Sequence, residues 1–246
     1  MSHRLITRRN ALAAIAAGVT TAAPLDFAWG GGKIPVGMQL ILAADTSASV
    51  TKGRYDIQMD GYLKAFQDGR LLRAIRNLEP PNLAVMFLTW SERQHIVMPW
   101  TLLHNKASVS EFCGRFAEQS MKRPYSGLYT RIDYLLESCI TRFDQVYAGG
   151  RRVLDVSGDG GNSYQIKSRV GLKEAREMLV RSGVTINGLP ILVVPSEYIS
   201  PAQPPEGLDT YYRRHVIGGP GAFVVPSRGF EEFHNAILTK LVAEVA

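Results

Sequence analysis

The stretch at residues 38–50, MQLILAADTSASV, is a mostly apolar run that stops at an aspartate and continues into two serines spaced by one residue. Residues 38–44 are predicted to form a buried strand, because a short run of this kind bounded by polar residues is typical of a sheet with both faces covered. In an open parallel sheet, ligands bind beyond the carboxyl ends of the strands, where strand order reverses. Asp45, Ser47 and Ser49 are therefore expected at the rim of the sheet.

The remainder of the chain alternates apolar extended runs with amphipathic stretches at helical spacing. Further strands are predicted at 82–90, 94–100, 151–158, 184–192 and 222–226, and helices at 55–66, 107–119, 131–143, 171–183 and 228–246. The short link between 82–90 and 94–100 indicates an antiparallel hairpin at one edge. The pattern predicts an α/β fold, with a doubly wound, mostly parallel central sheet, helices on both faces and one antiparallel edge strand.

Composition favours one folded domain. The chain has 246 residues, of which 46% are hydrophobic and 20% charged, enough to bury a substantial single core. No apolar run reaches the roughly 18 residues that indicate a membrane span. The prolines of 195–207 predict a loop, and 208–217 is predicted to be a short helix or irregular.

Residues 1–30 have the composition of an export signal, with arginines and no acid at the start and a small, apolar stretch after them. The pair Arg8 and Arg9 is similar to a twin-arginine signal, which predicts a periplasmic or secreted protein with a domain over 36–246. An amphipathic N-terminal helix is the alternative, but the apolar stretch has no polar face. Cleavage is expected between Thr21 and Gly30.

The net charge does not indicate a nucleic-acid partner. The formal charge is +6, and removal of Arg4, Arg8 and Arg9 with the signal leaves about +3, with the remaining bases scattered among acids. Cys113 and Cys139 cannot form a zinc cluster by themselves. They either pair in an oxidising compartment or remain two buried thiols, and the sequence leaves both open.

Two other junctions carry oxygen-bearing side chains that are expected to meet the Asp45 loop. Thr130 stands just before a predicted helix, and Asp159 follows the strand 151–158. An aspartate, two serines, a threonine and a second aspartate supply only hard oxygen ligands. This set favours a Mg-like cation over zinc or copper, with Mn or Ca as alternatives.

The Asp-x-Ser-x-Ser of Asp45, Ser47 and Ser49, the later Thr130 and the Asp-Gly of Asp159 and Gly160 resemble the metal-ion-dependent adhesion site (MIDAS) of von Willebrand factor type A (vWA) domains. The stretches DVSGDGGNS, GVTINGLPI, VIGGPGAFV, AILTKL and VMPWT resemble, more closely, exported bacterial members of this superfamily whose domain is named only as one of unknown function. The likeness runs from about Val36 to the C-terminus.

The resemblance implies a role for each residue. Ser47 and Ser49 would coordinate the cation through their hydroxyls, Thr130 directly or through water, and Asp45 and Asp159 directly or through bound waters. An open position would accept an Asp or Glu carboxylate of a protein partner. The implied function is a non-enzymatic, metal-dependent, adhesion-type binding domain of the periplasm.

The sequence departs from the family pattern at one place. Many relatives have a threonine directly before the second-last aspartate of the motif, whereas Gly158 stands there in this chain, which puts the position of Asp159 in doubt. Asp155 is the rival for that role. In the middle of a strand it is expected to face a structural partner such as an arginine.

Other interpretations of these residues stay open at this stage. Asp45 and Thr130 also suit helix N-caps, and the GDGGN of 158–162 suits a tight turn. A Mg-dependent phosphoester hydrolase with Asp45 as nucleophile is the enzymatic alternative, although it would want a second Asp where Ser47 stands. A structural scaffold subunit is the third.

Overall fold

A computed structural model of the protein describes residues 32–124, 127–163, 169–193 and 203–246. The export segment predicted at 1–30 lies outside the described residues, as does most of the loop predicted at 195–207. Within the described ranges, none of the helices combines the length and the apolar character needed to cross a membrane.

A five-stranded sheet forms the centre of the fold. The strands are β1 (Ile34–Pro35), β2 (Met38–Asp45), β3 (Leu83–Trp90), β4 (Gln94–Leu103), β5 (Tyr147–Ala148), β6 (Arg151–Gly158) and β7 (Val184–Pro190). The order in the main sheet is β4-β3-β2-β6-β7, and only the β3–β4 pair is antiparallel. The short strands β1 and β5 pair with each other. The predicted fold class and its antiparallel edge strand are confirmed.

Helices cover both faces of this sheet. They are α1 (Lys52–Gln67), α2 (Gly69–Arg76), α3 (Lys106–Ser120), α4 (Ile132–Cys139), α5 (Leu172–Arg181), α6 (Leu208–Tyr211), a π-helical turn (Tyr212–Val216) and α7 (Phe233–Val245). The apolar residues of α1, α2, α3 and α7 form one cluster with one face, and those of α4, α5 and the 208–216 segment form a second cluster with the other. The side chains of β2 therefore point alternately into two separate cores, which is why the sequence of this strand is apolar almost throughout.

Strand order places the end of β2 at the point where the winding reverses. The chain passes from β2 to β3 on one side, and later enters β6 on the other side of β2. Asp45 pairs in register with Trp90, and Ala44 with Ser157. The carboxyl ends of β2 and β6 are therefore neighbours, which brings Asp45 and the loop after Gly158 to one edge.

The prediction of a strand at 222–226 is wrong. Only isolated bridges form there, with Val224 opposite Gly188 and Ser227 opposite Ile191. Pro220 and Pro226 have no backbone N–H to donate, and Gly219 and Gly221 adopt positive φ, so this segment cannot continue a regular ladder. The helix predicted at 131–143 is also shorter, since α4 ends at Cys139.

Two further expectations are settled by the packing. Cys113 and Cys139 are both free and buried, in the clusters on opposite faces of the sheet, so they do not pair. Asp155 does face a basic partner, but that partner is Lys240 of α7 rather than an arginine, at 2.6 Å from Nζ to Oδ1.

Candidate metal centre

Asp45 ends β2 as a fully buried carboxylate. Its Oδ1 accepts a hydrogen bond from the backbone N–H of Ser47 at 2.7 Å, which turns the chain back over the end of the strand. Its Oδ2 is buried without a hydrogen-bond partner among the described residues. Buried polar atoms are almost always partnered, so an orphaned carboxylate oxygen needs an explanation.

A chain of hydroxyl contacts links this loop to the loop after β6. The Ser47 and Ser49 Oγ atoms are 3.3 Å apart, and the Ser49 hydroxyl donates to Asp159 Oδ1 at 2.6 Å. Four of the five predicted site residues therefore lie in one hydrogen-bonded series, from Asp45 through Ser47 and Ser49 to Asp159.

The Thr130 loop is tied to the Asp159 loop through the backbone. The N–H of Thr130 donates to Ser163 Oγ at 3.1 Å, and the N–H of Ser163 donates to the carbonyl of Thr130 at 2.7 Å. Glu92, in the β3–β4 turn, holds the preceding residues by accepting from the N–H groups of Leu128 and Tyr129. Thr130 is thus fixed at the same edge of the sheet.

Neither Asp45 nor Thr130 caps a helix. Thr51 is the N-cap of α1, where its side chain accepts from the N–H of Arg54. Arg131 occupies the N-cap of α4 and makes no side-chain capping bond. The capping interpretations of these two residues are therefore wrong, which leaves the side chains free for another role.

Burial makes both carboxylates costly to ionise, and the charge of Asp159 adds to this cost at Asp45. Burial, with the nearby charge of Asp159 as the second cause, raises the pKa of Asp45 to about 8. Burial also raises the pKa of Asp159, opposed by the Ser49 hydrogen bond and by the charge of Arg54. Arg54 Nη1 lies 3.7 Å from Asp159 Oδ2 and donates to the Ser49 carbonyl, so this arginine compensates only one end of the site.

Gly158 allows Asp45 to approach the backbone of β6. A Cβ at this position would lie 2.9 Å from Asp45 Oδ2 and 3.0 Å from Tyr212 Oη, closer than real Cβ contacts occur. The departure from the family pattern therefore has a steric reason in this chain. Tyr212, Arg54 and Ser163 were not predicted as site residues, because no motif marks them and the fold alone brings them here.

The donor set fits a hard divalent cation. Carboxylate and hydroxyl oxygens are the ligands that Mg²⁺, Mn²⁺ and Ca²⁺ prefer, and the orphaned Asp45 Oδ2 is an oxygen that a bound cation or its water would satisfy. No group of three or more His, Cys, Asp or Glu side chains suited to a metal occurs in the part of the chain that the structure describes. The candidate centre is thus of the mixed carboxylate and hydroxyl kind.

Comparison with models of known protein families places the sequence in one family. The model of the family described as "Protein of unknown function (DUF1194)" matches residues 35–246. The chain belongs to that family. No curated protein matches this DUF1194 chain.

Solved structures share its fold at low identity. The proximal thread matrix protein 1 of the mussel byssus, solved with a zinc-occupied MIDAS motif, is 16% identical with a TM-score of 0.60, covering 87% of this chain and 48% of its own. The pilus adhesin SpaC of Lactobacillus rhamnosus GG, in an open conformation, is 13% identical with a TM-score of 0.55, covering 86% of this chain and 30% of its own. The DUF1194 chain therefore spans about half or less of these proteins, and its fold is that of the vWA domain.

Proposed function

We propose that this DUF1194 protein binds a divalent cation, most simply Mg²⁺, at Asp45, Ser47, Ser49, Thr130 and Asp159, and that it binds a protein partner through the cation. The serines would supply hydroxyl ligands, Thr130 would bind directly or through water, and the aspartates would hold the cation or its waters. The cation would supply a Lewis-acidic position for a carboxylate of the partner.

One observation carries the proposal. Two buried carboxylates meet at the winding reversal of the sheet, joined by two serine hydroxyls, and Asp45 Oδ2 has no partner among the described residues. A protein that held this arrangement without a cation would have to keep Asp45 protonated or bury its charge beside that of Asp159, and both are costly. A divalent cation compensates both charges at once.

Access to the site supports a partner that approaches from the loop side. Ala48 is exposed and Ser49 is half-buried, whereas Asp45, Ser47, Thr130 and Asp159 are buried. Since most of the protein ligands lie beneath the surface, a cation among them has one open direction. A projecting Asp or Glu side chain can reach such a cation, while a flat surface cannot.

The burial of Asp45 also argues against the phosphoester hydrolase. A nucleophilic carboxylate must approach phosphorus in line with the leaving group, yet Asp45 has no exposed surface and one of its oxygens is held by the Ser47 N–H. The matrix and adhesin proteins that share the fold are in keeping with a binding role. Export of the protein through its N-terminal segment would place that role in the periplasm or outside the cell.

Titration calorimetry tests the cation site. Chelator-treated protein is titrated separately with MgCl₂, MnCl₂, CaCl₂ and ZnCl₂, alongside Asp45→Asn. We expect saturable binding of one cation per chain in the wild type and its loss in the variant. Equal heats from both proteins would refute the site.

Affinity capture tests the partner. Purified protein is used as bait in an envelope extract, with and without chelator, and Asp45→Asn is the matched bait. A partner recovered only by metal-loaded wild type supports the proposal. Recovery that ignores both chelator and the substitution would instead support the scaffold alternative.

A further inference from the structure

Tyr212 packs against two neighbouring strands at positions where the strands carry no side chain. It is the first residue of the π-helical turn and is fully buried. A Cβ on Gly188 of β7 would lie 2.7 Å from Tyr212 Cδ1, and a Cβ on Gly158 of β6 would lie 3.0 Å from its Oη. Both glycines are needed to admit the ring, so its placement is built into the sheet.

The phenolic oxygen of this ring ends beside the candidate centre. Tyr212 Oη and Asp45 Oδ2 both pack against Gly158, and both are buried atoms without a hydrogen-bond partner among the described residues. A phenol is a donor and a carboxylate oxygen is an acceptor, so each of these atoms is what the other lacks. An unpartnered donor and an unpartnered acceptor that lie beside the same glycine indicate a specific arrangement rather than a chance packing defect.

We infer that Tyr212 is a positioning residue of the metal centre, whose hydroxyl donates a hydrogen bond to Asp45 through one bridging water. The inference rests on the proposed function. Oδ2 has two lone pairs, so it could accept this bond on its inner side and still face the cation or one of the cation's waters. Hydrogen bonds to a ligand from behind orient it and adjust its basicity.

The proton needed for this bond is available at neutral pH. The ordinary pKa of a tyrosine phenol is about 10, so the Tyr212 hydroxyl carries its proton at neutral pH. The hydroxyl therefore acts as a donor throughout the physiological range.

The neighbouring tyrosine holds the other carboxylate loop. Tyr211 accepts a hydrogen bond from the N–H of Asn162 at 3.1 Å, and the Asn162 side chain accepts from the N–H of Asp133. Two consecutive tyrosines thus reach both halves of the centre.

Tyr212→Phe tests the inference, because it keeps the ring between the glycines and removes only the hydroxyl. We expect the dissociation constant for Mg²⁺, measured by calorimetry, to rise roughly tenfold or more, as for other outer partners of metal ligands. In chelator, the variant should lose no more than about 1 kcal/mol in the free energy of unfolding, which is the typical contribution of one hydrogen bond.

Tyr62→Phe is the matched control. Tyr62 is also fully buried, but its hydroxyl bonds Ser157 Oγ at 3.0 Å within the core on the α1 side. Its loss should lower the melting temperature and leave cation affinity unchanged. Tyr212→Phe is therefore expected to lower the cation affinity, and Tyr62→Phe to lower only the stability.

The outcomes separate this inference from the proposed function. If wild type binds the cation and Tyr212→Phe, folded by circular dichroism, binds it equally well, the positioning role is wrong while the metal site stands. If wild type binds no cation, both are wrong. A destabilised Tyr212→Phe would be judged with Gly158→Ala, which crowds the same two oxygens, and full affinity in that variant would also contradict the inference.

Discussion

Two pairs of buried carboxylates occur in the described part of the fold, and they differ in how closely a basic side chain approaches them. In the inner pair, Asp155 of β6 and Glu244 of α7 share Lys240, whose Nζ lies 2.6 Å from Asp155 Oδ1 and also contacts Glu244. All three side chains are fully buried or nearly so. In the rim pair, Asp45 and Asp159 meet two serine hydroxyls, with Arg54 only at the outer end.

The difference assigns distinct roles to similar groups. The inner pair shares the buried ammonium of Lys240 and joins α7 to β6 and β7, the latter through the bond from Asn187 to Glu244. Such a group holds a helix in register. The rim pair has only Arg54, at 3.7 Å from Asp159 Oδ2, and this is the pair at which we propose that a cation from solution binds.

Replacement of Lys240 is expected to have the largest effect on stability. Lys240→Met leaves Asp155 and Glu244 buried together without a counter-charge, and we expect a loss of about 3–5 kcal/mol in the free energy of unfolding, measured in urea. Lys64→Met is the matched control, because Lys64 pairs with Asp60 on the exposed side of α1. That change should cost at most about 1 kcal/mol. Equal losses would mean that the inner group is not a structural ion pair.

The rim pair should respond in the opposite direction. Asp45→Asn removes one of two like charges, and in chelator we expect a gain on the order of 1 kcal/mol in the free energy of unfolding. Wild type should instead gain about 2.7 kcal/mol when Mg²⁺ is present at about a hundred times its dissociation constant, and the variant should not. Thermal melts with and without Mg²⁺ measure both effects.

Asp155→Asn is the matching substitution in the inner pair. Its substitution removes the carboxylate nearest Lys240, so it should destabilise the protein with and without metal. Stabilisation by both Asp45→Asn and Asp155→Asn, or by neither, would remove the distinction between the pairs.

The sequence predicted the rim pair better than the inner one. Asp45, Ser47 and Ser49 follow one another after a buried strand, so local pattern and sheet topology together indicate their edge. Asp155 and Lys240 are 85 positions apart in the chain. Their meeting depends on how α7 packs, and no local periodicity reports that packing, so the sequence predicted an arginine partner instead.

The same limit explains the other differences. Tyr212 lies beside Asp45 only because Gly158 of β6 and Gly188 of β7, which are offset by two positions in the register of these strands, both lack a side chain. In the sequence they are two unrelated glycines. The segment 222–226 has the composition of a strand, but the flanking prolines and the positive-φ glycines decide its course. Composition predicts helices and strands, whereas close contacts between distant elements are seen only in the folded structure.

Glu244 makes the stability of the inner pair depend on pH. Burial, with the charge of Asp155 as the second cause, raises the pKa of Glu244 to about 7, against the opposing effect of Lys240. Since the folded pKa is raised above the unfolded value of 4.5, this group stabilises the fold fully below that value, and the contribution is lost as pH rises through 7. The free energy of unfolding in chelator should therefore fall over this window. Glu244→Gln, which keeps Lys240, Asp155 and Asn187 as neighbours, should flatten the fall; an unchanged slope would contradict the assignment.

The smallest expected effect on stability separates the rim hydroxyls from the rest of the fold. Ser49→Ala removes the donor to Asp159 Oδ1 and one proposed ligand, so cation affinity should fall about tenfold while the free energy of unfolding in chelator changes by no more than about 1 kcal/mol. Ser138→Ala is the control, since that hydroxyl bonds the Leu135 carbonyl within α4. It should leave calorimetric binding intact. Because Ser49 is the half-buried member of the series, a variant that kept full affinity would move the cation away from the open side and leave a partner's carboxylate nothing to reach.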